Sequence, residues 1–397
     1  MNSPWRDSLH VAQIGFFNDP EERAPEQLLQ AWPTLVDTAE AAASSGVRVS
    51  VVQACSHAER LERNGVHYYF LPFGATRGRA RLASVGELLR DLAPNVLHVH
   101  GLDFPRLVRS LTAVVPDIPL VLQDHASRPP RIWRRPAWRR GLAAAAGVAF
   151  CAAEQAKPFA AAGLLSAHTR VYGVPESSSR FVPGDRAAAR RETGICGDPA
   201  ILWVGHLDAN KDPLTVLEGI STAARVLPEL RLWCCFGVAP LLRPVSERIA
   251  RDARLRGRVQ LLGRVAHSHI EQLMRAADLF VLGSHREGSG YSLIEALACG
   301  LPPVVTDIPS FRALTGEAAV GRLWPCGDWQ ALSRALEEVA ASRGNGLQAA
   351  VRAHFERELS FGALGRKLAA LYHDVLLLPR PRRRGGAVLQ PGAAATH

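Results

Sequence analysis

Two glutamates, Glu287 and Glu295, stand eight positions apart in the segment Arg286-Glu287-Gly288-Ser289-Gly290-Tyr291-Ser292-Leu293-Ile294-Glu295-Ala296-Leu297-Ala298-Cys299-Gly300. The apolar run Leu279 to Gly283 before them reads as a strand, and the residues after the glycines read as a helix. Gly288 and Gly290 permit a tight turn and close backbone approach, and free N–H groups at the helix start would point out of the strand's carboxyl edge. Such an arrangement binds phosphate. Glu287 falls in the loop and Glu295 on the second helical turn, so the carboxylates reach opposite ends of one ligand rather than each other. A sugar nucleotide offers hydroxyls at both ends. Glutamates at this spacing also arise by accident on helix surfaces; the strand, the turn and the apolar helix around them favour a site.

A second segment carries a lysine suited to the same ligand. The strand Ile201 to Val204 runs into Gly205-His206-Leu207-Asp208-Ala209-Asn210-Lys211-Asp212-Pro213. An ammonium at Lys211 suits the charge that builds on a departing diphosphate, and Pro213 fits the first turn of the next helix.

Together these segments resemble the retaining family-four glycosyltransferases. Arg286 to Gly300 is similar to their Glu-x7-Glu motif, with Gly290 at the family's glycine, and Gly205 to Lys211 resembles their Gly-Arg-Leu-x-x-x-Lys diphosphate loop. Gly173-Val174-Pro175 through Phe181 resembles the family's entry to its second domain. The resemblance implies the GT-B fold, two Rossmann-like domains facing each other across a cleft. It also implies transfer of a sugar from a nucleoside diphosphate sugar to an acceptor hydroxyl with retention of configuration. Glu287 would contact donor-sugar hydroxyls, Glu295 the ribose, and main-chain amides near Gly290, Tyr291 and Ser292 the sugar and phosphate oxygens. Pro119 to His125 resembles the segment in which a histidine follows the fourth strand, so His125 would position the reacting centre, with Asp124 orienting it. His98 and His100 alternate along a strand, and His100, abutting the loop, ranks higher as an acceptor-side residue.

The chain also departs from the family. His206 replaces the usual arginine, and neutral imidazole stabilises less charge than guanidinium. Arg264, after Leu262-Gly263, would compensate or contact the base. The loop Phe17-Asn18-Asp19-Pro20-Glu21-Glu22 replaces a Gly-Gly loop, so contacts from it do not carry over. No Asp-x-Asp occurs, so no metal is implied, and no cofactor beyond the donor is expected. Walker-type, Gly-x-Ser-x-Gly and His-Glu-x-x-His motifs are absent too. Two rivals stand beside transfer: a same-fold sugar-nucleotide epimerase, and a nucleotide-sugar or lipid-phosphate binding protein without turnover.

These residues need a scaffold of two α/β domains, and 397 residues provide for two. Apolar runs at Val11 to Phe17, Val47 to Val52, Val96 to Val99, Leu120 to Leu122 and Gly147 to Phe150 predict strands of a first domain, residues 1–174. Runs at Ile201 to Gly205, Leu230 to Phe236, Val259 to Gly263, Leu279 to Gly283 and Pro303 to Thr306 predict those of a second, residues 200–355. Residues 175–199 show little apolar periodicity and read as the connection. In residues 356–378 a helix with Phe361, Leu364, Leu368, Leu371, Tyr372 and Val375 on one face should cross back to the first domain. Residues 379–397 have no core and read as a disordered basic tail.

The net charge of +10 favours anionic partners. No apolar run spans a bilayer, Met1 to Phe17 lacks a signal pattern, and seven cysteines without a C-x-x-C pair argue against a disulfide framework, so the expected address is the cytoplasm. The expected partners are a nucleotide-sugar donor and a glycan or lipid-linked acceptor. Arg128 to Arg140 combines six arginines with two tryptophans, which suits peripheral contact with the inner face of a membrane or a lipid phosphate. A solvated basic loop is the alternative, and nucleic acid is disfavoured because no recognition module accompanies the patch.

Overall fold

β-branched and aromatic runs bounded by polar turns form the strands of two separate sheets. The computed structural model describes residues 9–72, 82–344 and 346–378; the tail expected at 379–397 lies outside the described residues. The first sheet holds β1 (His10–Gly15), β2 (Arg48–Ala54), β3 (Glu59–Arg63), β4 (Val66–Leu71), β5 (Val96–His100), β6 (Leu120–Gln123), β7 (Gly147–Phe150) and β8 (Arg170–Gly173). Their order is β3-β4-β2-β1-β5-β6-β7-β8, with β3 antiparallel to β4 and the other pairs parallel. The second sheet holds β9 (Ala200–Val204), β10 (Arg231–Cys235), β11 (Val259–Gly263), β12 (Leu279–Leu282), β13 (Pro303–Thr306) and β14 (Arg322–Trp324). It is all parallel, in the order β11-β10-β9-β12-β13-β14.

Ile201, Leu202, Phe280, Val281 and Val304 are fully buried, as strands covered on both faces must be. The order reverses between β9 and β12, and between β1 and β5. Crevices open at the carboxyl ends of strands at such points, so the loops after β9, β12 and β5 are where a ligand would lie.

The segment read as a connection does more than connect. Helix Arg186–Thr193 begins at Asp185, whose side chain accepts from the Ala188 N–H at 3.0 Å, and ends at Gly194 with φ of 73°. Ala189 and Ile195 are buried in the second core, and Arg190 bonds Asp278 at 2.6 Å. The helix presents arginines and a single buried alanine, which left almost no apolar period to detect.

The chain returns through helix Phe361–Leu377, capped by Ser360. Leu364, Leu368, Leu371, Tyr372 and Val375 join Val11, Val36 and Ala39 in a first-domain core. The outward crossing is tied nearby: Ser177 and Arg180 both donate to Asp37 at 2.8 Å, and the Arg180 guanidinium lies 4.6 Å over the Phe361 ring. Gly365 lets the return helix touch helix Pro33–Ser44, since a Cβ there would sit 2.1 Å from the Ala41 carbonyl oxygen. Gly365→Ala gains about 1 kcal/mol of helix propensity, but overpacking against backbone costs up to about 3 kcal/mol. The overlap wins, and the first thermal transition of the variant should fall by several degrees in calorimetry.

Candidate active site

The loops after β9 and β12 are fastened to each other. The Asn210 side chain donates to the Arg286 carbonyl at 3.0 Å, and His285 N–H donates to the Asn210 carbonyl at 2.7 Å. Gly283 permits this approach, because a Cβ there would lie 2.9 Å from the Lys211 carbonyl oxygen. The result joins two of the candidate residues: the Lys211 ammonium pairs with Glu287 Oε1, both side chains being about 85% covered. Lys211 is held in turn by its N–H, which donates to Asp208 at 2.9 Å.

Gly290 starts helix Tyr291–Ala298 with φ of 65°, and no side chain caps it. The N–H groups of Tyr291 and Ser292 have no acceptor among the described residues, so the positive end of the helix opens onto the same crevice. A Cβ at Gly290 would meet Leu314 at 3.0 Å and Phe311 at 3.1 Å, so space as well as φ requires glycine. Glu295, one turn on, bonds His267 Nε2 at 2.5 Å, and burial pushes its carboxyl above the usual range. Glu287 and Glu295 thus have separate partners, as their spacing suggested.

Across the cleft, His100 ends β5 and His125 follows β6. His125 Nδ1 lies 2.8 Å from Glu176 Oε2, and its Nε2 lies 3.3 Å from His100 Nδ1. A carboxylate only accepts, so Nδ1 of His125 carries a proton and donates it to Glu176, while Nε2 faces His100. His98 shares a face with His100, their rings 4.5 Å apart, and bonds the Tyr372 hydroxyl at 2.7 Å. Burial holds His98 down to about 3 and His100 well below the usual histidine value, so both are neutral.

The first domain grips the glutamate loop. The Gln155 side chain donates to the Glu287 carbonyl at 2.8 Å, and Glu154 pairs with Arg312 at 3.0 Å. Gly288 abuts Ala126, where a Cβ would lie 2.5 Å from the alanine's own. Ala126 adopts φ of 62°, an unfavourable turn for alanine that sits directly between His125 and the loop. Beside this contact is a cavity of about 190 Å³ lined by Asp124, Arg128, Gln155, Arg286 and Glu287. The Arg286 guanidinium is depressed by burial and by the like charge of Arg128.

Comparison with known proteins agrees with this architecture. The family model "Glycosyltransferase Family 4" matches residues 33–175, and "Glycosyl transferases group 1" matches residues 185–354. The chain belongs to the family-four glycosyltransferases. A D-inositol 3-phosphate glycosyltransferase of Mycobacteroides abscessus is 30% identical over 178 residues, 44% of this chain and 39% of the relative. The GDP-mannose:cellobiosyl-diphosphopolyprenol alpha-mannosyltransferase of Xanthomonas campestris is 27% identical over 259 residues, 62% and 64% of the two chains. The chain thus spans well under half of the first relative's length. HepE of Anabaena in complex with UDP superposes with a TM-score of 0.65 at 17% identity, over 92% of this chain and all of that one. Sucrose-phosphate synthase of Thermosynechococcus elongatus superposes at 0.63 and 18%, over 92% and 99%. Both show the GT-B fold.

Several family positions take a different form here. His206 Nδ1 accepts the Val238 N–H at 3.2 Å, which leaves Nε2–H as a neutral donor on the exposed side of the loop. Arg264 is exposed and has no polar partner among the described residues. Asp124 does not orient His125: it accepts from the Ser127 N–H at 3.0 Å, and burial lifts its carboxyl to about 6. Glu176 orients His125 instead, from 51 residues away, and spacing gave no sign of it. Gln155 and His267 were missed for the same reason. Of the two tryptophans in the basic segment, Trp138 is buried, its ring stacked 6.5 Å from Phe159. Among the described residues no group of three or more His, Cys, Asp or Glu is placed to hold a metal ion.

Proposed function

We propose that the cleft transfers a glycosyl group from a nucleoside diphosphate sugar to an acceptor hydroxyl, with retention of configuration and without a metal. The observation that supports it best is the meeting of Lys211 and Glu287 beside an uncapped helix start, at the point where the strand order reverses. A donor's diphosphate would draw the Lys211 ammonium and the Tyr291 and Ser292 amides, freeing Glu287 to bind sugar hydroxyls. Glu295 would exchange its His267 partner for the ribose. The bond from the anomeric carbon to the phosphate oxygen breaks while the acceptor oxygen bonds on the same face, and the leaving phosphate takes the acceptor proton. His125 holds the acceptor side of that centre. The grip of Gln155 on the loop excludes water, which limits donor hydrolysis. The acceptor is a glycan or lipid-linked sugar, with the protein at the inner membrane face.

The test is a thermal-shift screen against UDP-, GDP-, ADP- and dTDP-sugars, comparing wild type with Glu295→Ala. Donor at a hundred times Kd stabilises the native state by about 2.7 kcal/mol, a shift of a few degrees. One nucleotide class should raise the melting temperature of wild type and not of the variant. No shift with any class would sink the donor site.

A further inference from the structure

We propose that the surface formed by Arg128 to Arg140 docks the protein on an anionic phospholipid bilayer. By composition this segment suits either a membrane contact or a solvated loop, and its surroundings in the fold separate the two. A merely solvated basic loop needs no large apolar side chains held in water, whereas a membrane contact requires them beside its charges. Here no acidic residue occurs between Asp124 and Glu154. Among the described residues none of Arg128, Arg131, Arg134, Arg135, Arg139 and Arg140 forms an ion pair. Arg135 and Arg139 only donate to the carbonyls of Pro130 and Gly163.

At the crest of these charges a 3-10 turn, Ile132–Arg134, holds two large apolar side chains in solvent: Ile132 is 70% exposed and Trp133 66%. The Arg131 guanidinium lies 5.4 Å over the Trp133 ring, so cation and indole occupy one level of the surface. The crest is held firmly from beneath. Trp138 and Leu142 of helix Arg135–Leu142 are buried, and Gly141 presses on Pro105, where a Cβ would lie 2.6 Å from the carbonyl oxygen.

Exposed isoleucine and tryptophan gain free energy only by leaving water, while guanidinium groups gain by meeting phosphate; a lipid headgroup region offers both at one depth. Nucleic acid offers phosphate, and bases that stack on tryptophan, but no hydrocarbon layer that takes in Ile132 and Trp133 together. The crest also adjoins the cleft, since Arg128 and Pro129 line the cavity that contains Glu287. Docking would turn that opening toward the bilayer, where a lipid-linked acceptor sits. This last consequence rests on the transfer reading above, whereas vesicle binding does not.

Flotation of the full chain with vesicles of phosphatidylcholine alone, or mixed with phosphatidylglycerol, is the test. Wild type should float with the mixed vesicles only, and less so as salt rises. Replacing Arg131, Arg134 and Arg135 together by serine should weaken binding roughly a hundredfold, at about fivefold per charge. Ile132→Ser with Trp133→Ser should weaken it at least tenfold while leaving the charge intact. Arg131→Glu alone serves if the triple variant melts early. Absence of flotation with mixed vesicles, or flotation that ignores these substitutions, would overturn the proposal. So would single-stranded RNA binding lost in the same variants from a protein that ignores vesicles.

Discussion

Lys211→Met should lower kcat by roughly a hundred- to a thousandfold and leave donor KM within a few-fold of wild type. The diphosphate gains charge only as the glycosidic bond breaks, so the ammonium acts chiefly in the transition state. Ground-state affinity would rest on Glu295 and the helix amides, because Lys211 gives up its Glu287 pair to meet the diphosphate and gains little on balance. One complication follows from the pairing: removing Lys211 leaves the Glu287 carboxylate covered and unmatched. Glu287→Gln is the control. It keeps the ammonium, loses the charged acceptor for sugar hydroxyls, and should cost a similar factor in kcat. Because the two side chains form one unit, the double variant should be little worse than either single one. Steady-state kinetics on all three proteins checks this; additive losses would show that the pair does not act together.

The second large effect is expected across the cleft. His125→Ala should reduce kcat by about a hundredfold or more, the cost of losing a side chain that positions a reacting centre. Glu176→Gln should reduce it by about ten- to a hundredfold, because an amide oxygen still accepts from Nδ1 but no longer favours that tautomer by charge. Glu176 is nearly buried, and exchange for a neutral residue of the same shape should not lower the melting temperature. A fall in kcat with melting temperature and donor-induced shift unchanged is the signature of positioning. A fall in all three would make Glu176 structural instead.

The fold was legible where buried strands repeat between apolar-striped helices. Ile201 to Gly205 and Pro303 to Thr306 matched observed strands within a residue or two because both faces of those strands are covered. Strands β3, β8 and β14 escaped notice for the opposite reason. Glu59–Arg63 and Arg170–Gly173 are exposed sheet edges with charged residues, and Arg322–Trp324 is very short. β4 does display its pattern in the sequence, with Val66, Tyr68 and Phe70 alternating with outward residues. The donor-side residues lie in two short loops, each continuous in sequence, and local pattern reveals such loops. Glu176, Gln155 and His267 act on partners 51, 132 and 28 residues away. Only folding brings those groups together, and a single sequence carries no trace of the pairing.

The two places where the chain passes between domains lie side by side, with Arg180 of the outward passage resting on Phe361 of the return. A body tied by one strand swivels in any direction; tied at two neighbouring points, it swings like a door on a pair of pins. The second domain would then have one easy direction of travel, about a line near Asp37, which bonds both Ser177 and Arg180. Gln155 and Ala126, which meet the Glu287 and Gly288 backbone, would be the latch of that movement. Each turnover would consist of unlatching, exchange of donor and product, and return along the same arc, so that Glu287 meets His125 in one register every time.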